Sequence, residues 1–154
     1  MTTPFDHNRV ILCHFDSYSA LLLFARFGRT LLLPEAAPAG ASLASDTHRQ
    51  EQLAAGPEPY AAAAVGGALA ERYGFSPQEL VCVPQFEEWL STEASSGSPA
   101  TALRVHLFRI NTFAPPKSQI EPYEGQWKPV SELRGVVAHE LGFARRVFDI
   151  IMGG

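Results

Sequence analysis

His139 and Glu140 are the neighbouring residues that first raise the question of metal chemistry in this chain. A helix carrying His-Glu-x-x-His sets two imidazoles on one face for a zinc ion and leaves the glutamate as general base. Here the residue three beyond Glu140 is Phe143, so that motif is not formed. His14 and His106 stand in apolar, strand-like runs and read as structural histidines rather than as a joint metal site. Cys13 and Cys82 also sit in apolar runs, with no CxxC spacing. They read as small buried hydrophobes, which fits a cytoplasmic or other reducing compartment and neither a zinc site nor a disulfide framework. The serines between 91 and 98 have no matching His and Asp arrangement for a nucleophilic triad. What is left for chemistry is a set of carboxylates and arginines.

The elements that must position them are read from composition and periodicity. The 154 residues, with 46% apolar and 18% charged, suit one domain with one substantial core, taken here as residues 4–152. The net charge of −4 argues against a dedicated nucleic-acid module, which is usually basic on one face. The first residues lack a positive region followed by an apolar run, so no signal peptide is expected. No apolar stretch approaches the ~18 residues of a membrane helix, and no membrane partner is expected.

Residues 9–15, 20–27 and 30–33 are apolar, β-rich runs separated by turn residues and predict three strands. Their unbroken leucines predict burial on both faces. Residues 35–57, rich in Ala, Pro, Gly and Ser, read as loop around a short helix over 46–55 that Ser45 would cap. A helix is predicted over 58–73, with Pro59 in its first turn and Gly74 as its left-handed stop. Gly66 and Gly67 inside it would let it lie close on a sheet. Residues 80–90 predict a strand broken or bulged near Pro84, 91–100 a hairpin loop, and 103–110 a half-buried strand. A long loop over 111–125 leads to a short strand over 126–130. Ser131 is placed to cap a turn or the final helix, whose apolar residues recur at Leu141, Ala144, Val147 and Ile151 over 139–152.

Three segments share order and spacing with a known family. They are Leu32-Leu33-Pro34 at the end of a strand, the stretch AAVGGALAERYGF over 63–75, and Glu121-Pro122-Tyr123-Glu124-Gly125-Gln126-Trp127 followed by Glu132-Leu133. The chain thereby resembles a Nudix-superfamily domain with a degenerate Nudix box. The resemblance implies an α/β fold, a Nudix-like α/β/α sandwich with a mixed β-sheet between helices. Trp127 falls where the family places an aromatic and is expected to pack in the core.

In that family the box helix presents carboxylates that hold Mg²⁺ or Mn²⁺, which neutralise phosphate charge and activate water. Anchored on Gly74 and Phe75, the box slots fall on Gly67 in place of Arg, Ala68 in place of Glu, and Glu71 as a retained Glu. Arg72 takes the place of a second Glu, and Glu58 lies one residue from the upstream Glu slot. A guanidinium beside a dication is repulsive by several kcal/mol even at an effective dielectric of about 20. The resemblance therefore implies a non-catalytic module that binds a nucleotide-like ligand or a protein partner, with RNA not favoured and no cofactor expected. Its candidate binding residues are Arg26, Arg29, Glu58, Glu71 and Arg72. The alternative is a divergent hydrolase of nucleoside diphosphate-linked compounds using Glu71 with Glu58, Glu121 or Glu124, and then Mg²⁺ or Mn²⁺.

Overall fold

A computed structural model describes residues 4–16, 18–37, 41–43, 61–92 and 101–153. The strands are β1 Asn8–Asp16, β2 Leu21–Phe27, β3 Leu32–Leu33, β4 Ser42–Leu43, β5 Leu80–Cys82, β6 Glu88–Thr92, β7 Thr101–Ile110 and β8 Gly125–Pro129. The helices are α1 Ala62–Tyr73 and α2 Ala138–Met152, with short 3₁₀ turns at Pro4–Asp6, Pro77–Glu79, Glu121–Tyr123 and Val130–Glu132. The sheet is mixed and runs β4-β6-β7-β1-β2-β8. Its centre is the parallel pair β1 and β7, in register from Asn8 with Arg104 to Cys13 with Arg109. Every other pairing is antiparallel.

Both central strands change partner along their length. β1 pairs β3 through Val10 and Ile11 and then β2 from Cys13 to Asp16. β7 pairs β6 through residues 101–105 and then β5 through residues 108–110. This explains why the apolar run over 80–90 is two strands. Pro84 has no N–H to give a ladder, and the chain leaves the sheet between Cys82 and Glu88 before returning beside the other half of β7.

Alternation along β1 divides the core. Ile11 and Cys13 join Phe24, Leu107, Phe143, Ala144 and Val147 in one apolar cluster. Val10 and Leu12 join Phe108, Ile110, Val65, Leu69 and Tyr73 in the other. Successive strand residues point to opposite faces, so α2 covers one face of the sheet and α1 the other. The fold is mixed α/β, with one helix on each face.

Several expectations need correction. Leu21 is exposed, so only Leu31, Leu32 and Leu33 are a leucine run buried throughout. Residue 20 lies in the turn before β2, and strand β3 is confined to residues 32 and 33. Ser131 lies in its own 3₁₀ turn, and α2 begins after Val137 without a side-chain cap. Ser91 and Thr92 extend β6, and β7 starts already at Thr101. Residues 42–43 form a strand within the stretch read as loop, paired to β6. Gly74 does stop α1 in the left-handed region, at φ +80. Of the two helix glycines, only Gly66 is needed for close packing: a Cβ there would meet the Phe108 ring at 3.1 Å, whereas one at Gly67 meets nothing within 4 Å. The short helix over 46–55, Glu58 and Pro59 lie outside the described residues.

Candidate functional site

The last turn of α1 meets the turn that precedes β8. Tyr73 stacks edge-on against Tyr123 with ring centroids 4.7 Å apart. The two segments singled out in the sequence, around 68–73 and 121–124, are therefore neighbours. Helical periodicity decides which side chains of α1 are presented there. Val65, Leu69, Ala70 and Tyr73 are buried, Ala68 is half-buried, and Glu71 and Arg72 face solvent.

Arg72 lies flat against aromatic rings, its guanidinium carbon 5.8 Å from the centroid of Phe5 and 5.9 Å from that of Tyr73. A cation over a ring face gains from the ring quadrupole. Glu71 is exposed and makes no hydrogen bond or ion pair with the described residues. The face thus offers Ala68, Glu71 and Arg72, one carboxylate beside a fixed cation. This donor set does not fit a divalent cation, which needs several converging oxygens. Among the described residues no three of His, Cys, Asp and Glu are grouped to hold a metal.

Glu121 and Glu124 lie on a cleft of about 660 Å³ that runs along β8, with Lys117, Gln126, Trp127 and Lys128 also on its walls. Glu124 adopts a positive φ of 64 and closes the turn through its N–H on the Glu121 carbonyl. Gly125 follows because nothing larger fits: a Cβ there would come within 2.8 Å of the Ile120 Cβ. Trp127 is half-buried and donates from Nε1 to the Pro116 carbonyl at 2.9 Å. It packs against the edge of the α1-side core and also forms a wall of the cleft. Lys128 reaches Glu132 at 3.8 Å, a partly exposed pair.

Arg26 and Arg29 both reach backbone carbonyls. Arg26 donates from Nε to Gly28 O at 2.7 Å and from Nη1 to Glu132 O at 2.9 Å. Arg29 donates from Nε to Gly135 O at 3.3 Å. Both tie the β2–β3 turn to the segment before α2, and neither joins the α1 face in a common site.

His106 and His14 are buried and hydrogen-bonded within the fold. The His106 ring Nε2 is 2.7 Å from Asn8 Oδ1, and burial pulls its pKa down to about 3, so the ring is neutral. His14 is buried with Nε2 2.9 Å from Thr112 O. Cys13 is buried and its thiol is pushed up to about 12 by loss of solvation, so it is no nucleophile at neutral pH. Cys82 is half-buried, and burial raises its thiol too.

Two charged side chains are buried in a way that the sequence did not announce. Glu140 is almost fully buried in the first turn of α2. Its carboxylate accepts from Thr30 Oγ1 at 2.9 and 3.0 Å and from the Leu31 N–H at 2.6 Å. Arg9, at the start of β1, is buried as well. Its Nη1 donates to Phe5 O at 2.8 Å and Asn8 O at 3.0 Å. Neither could be found by pattern: a glutamate three residues into a helix and an arginine opening a strand are ordinary surface residues until a partner segment covers them. No family model matches this chain, and no curated protein matches it.

Proposed function

We propose that this chain is a catalytically degenerate Nudix-like domain that binds a nucleotide-like anion through the face formed by the end of α1 and the turn before β8. The observation that carries the reading is Arg72. It stands at a slot the resemblance assigns to a metal-binding carboxylate, held over Phe5 and Tyr73. A guanidinium there neutralises phosphate charge directly, by bidentate hydrogen bonding, where the family uses a metal. Binding without a metal clamp and an activated water gives retention rather than hydrolysis.

The test is calorimetric titration of the full chain with ADP and ADP-ribose, with EDTA and then with Mg²⁺ or Mn²⁺, followed by assay of the same mixtures for diphosphate cleavage. Binding that is unchanged by EDTA, with the ligand recovered intact, is the expected result. Turnover that requires Mg²⁺ or Mn²⁺ and is lost in Glu71→Gln overturns the reading in favour of a divergent hydrolase that draws on Glu71 and the cleft carboxylates Glu121 and Glu124.

A further inference from the structure

Arg9 and Tyr73 share one unusual property. The Arg9 side chain is 7% exposed, and its Nε is buried without a hydrogen-bond acceptor among the described residues. Tyr73 is 6% exposed, and its buried hydroxyl, which faces the Arg72 side chain, has no acceptor for its O–H among the described residues. Buried donors that lack acceptors are costly, and native structures keep few of them.

These two donors belong to one neighbourhood, joined by Phe5 and Glu35. The Phe5 carbonyl receives Arg9 Nη1, and the Phe5 ring underlies Arg72. Arg72 in turn lies over the ring of Tyr73. Glu35 Oε1 is 3.6 Å from Arg9 Nη2, and the Glu35 charge is also felt at Tyr73. Burial, the leading influence, holds the Tyr73 phenol above its ordinary range, so it remains an O–H donor at neutral pH.

The negative groups at this place are Glu35 and Asp6, both of which favour the charged form of Arg9. The Glu35 side chain is 76% exposed, and 3.6 Å is too long for a good charge-assisted hydrogen bond. With Glu35 open to solvent and the contact this long, the pair is weak and screened by salt. Glu35 therefore fills the electrostatic need of Arg9 without satisfying its geometry.

We propose that Arg9, Arg72 and the Tyr73 hydroxyl form a subsite for a phosphoryl-type anion, with Glu35 as its internal competitor. The oxyanion supplies the several lone pairs that the unused donors lack and reaches them from the solvent side, where Arg72 and Glu35 are exposed. The subsite rests on the reading of this face as an anion-binding face and names which phosphate oxygens' partners it contains.

The experiment is a metal-free titration of the full chain with inorganic pyrophosphate and, separately, with ADP, on wild type, Glu35→Gln, Arg72→Gln and Tyr73→Phe. Pyrophosphate is expected to bind several-fold tighter to Glu35→Gln. It should bind about tenfold weaker to Arg72→Gln and Tyr73→Phe, the loss of one charge-assisted hydrogen bond each. Tyr73→Phe should keep the melting temperature of the unliganded protein close to wild type, because the hydroxyl it deletes has no acceptor among the described residues, so its weaker binding cannot be ascribed to misfolding. Equal pyrophosphate affinity in all four proteins, or a weaker Glu35→Gln, overturns the subsite. ADP binding that ignores all three substitutions sinks the subsite while leaving the broader binding reading standing. Wild type that takes up neither ADP nor pyrophosphate removes both.

Discussion

Arg9 at the start of β1 and Glu140 at the start of α2 are both charged side chains taken almost wholly out of water. Their surroundings treat them differently. Glu140 accepts from the Thr30 hydroxyl on both oxygens and from the Leu31 N–H, so it fastens α2 to the chain entering β3. Arg9 gives one nitrogen to two carbonyls, meets Glu35 at 3.6 Å and finds no acceptor for Nε among the described residues. A buried charge whose bonds are met is a structural fastening; one that keeps a donor without an acceptor among the described residues contributes less to holding the fold together. The difference separates a region whose polar groups are matched from the region in which the anion subsite is proposed.

The most severe way to break this comparison is Glu140→Ala. It leaves the buried Leu31 N–H and Thr30 hydroxyl without their acceptor and should lower unfolding free energy by about 3 kcal/mol, read from urea denaturation. Glu140→Gln keeps one acceptor and should cost about 1 kcal/mol. The pH dependence sharpens the point. Burial is the leading influence on Glu140 and raises its pKa above the ordinary value, against the opposing bonds from Leu31 and Thr30. A carboxyl raised in the folded state contributes stability that is complete below its unfolded pKa of about 4.5 and is lost as pH rises through the folded value. Wild type should accordingly gain on Glu140→Gln as pH is lowered toward that range. A gap that widens with rising pH instead would mean that the hydrogen bonds outweigh the desolvation.

Arg9→Met tests the other half. It keeps a long side chain in place and deprives two carbonyls of a donor, but it also removes a poorly matched buried charge. The two effects should nearly offset, giving a loss of about 1 kcal/mol or less by the same denaturation measurement. A loss as large as that of Glu140→Ala would make Arg9 a fastening too and erase the contrast. The smallest effect concerns how closely α1 sits on the sheet beside this region. Gly67→Ala gains helix propensity in open space and should raise stability by about 1 kcal/mol. Gly66→Ala should gain little or nothing, because its Cβ presses on the Phe108 ring at 3.1 Å. Equal gains at both positions would show that α1 has room to lift.

Much of the fold was legible locally. The β-rich run after Arg9, the left-handed stop at Gly74 and the apolar stripe through Ala144 and Val147 mark β1, the end of α1 and α2. Each depends on residues within a few positions of one another, and local sterics and periodicity suffice to specify them. Pro84 likewise announced a break, though not that the two pieces would serve different halves of β7. The candidate site was legible only in part. Glu71, Arg72, Glu121 and Glu124 were singled out, and the Tyr73–Tyr123 contact joins their segments. Arg26 and Arg29 were singled out too, and they bond the backbone carbonyls of Gly28, Glu132 and Gly135.

The sequence by itself determined the principal strands and helices and that Glu71 and Arg72 stand side by side near the end of α1, because periodicity and residue identity are properties of the chain alone. Only the tertiary structure decided that β1 lies parallel to β7, that Glu140 is satisfied and that Arg9 Nε and the Tyr73 O–H are buried without an acceptor among the described residues. Those outcomes depend on which distant segment covers a residue, and a hydrogen bond across a hundred positions leaves no trace in the spacing on either side of it.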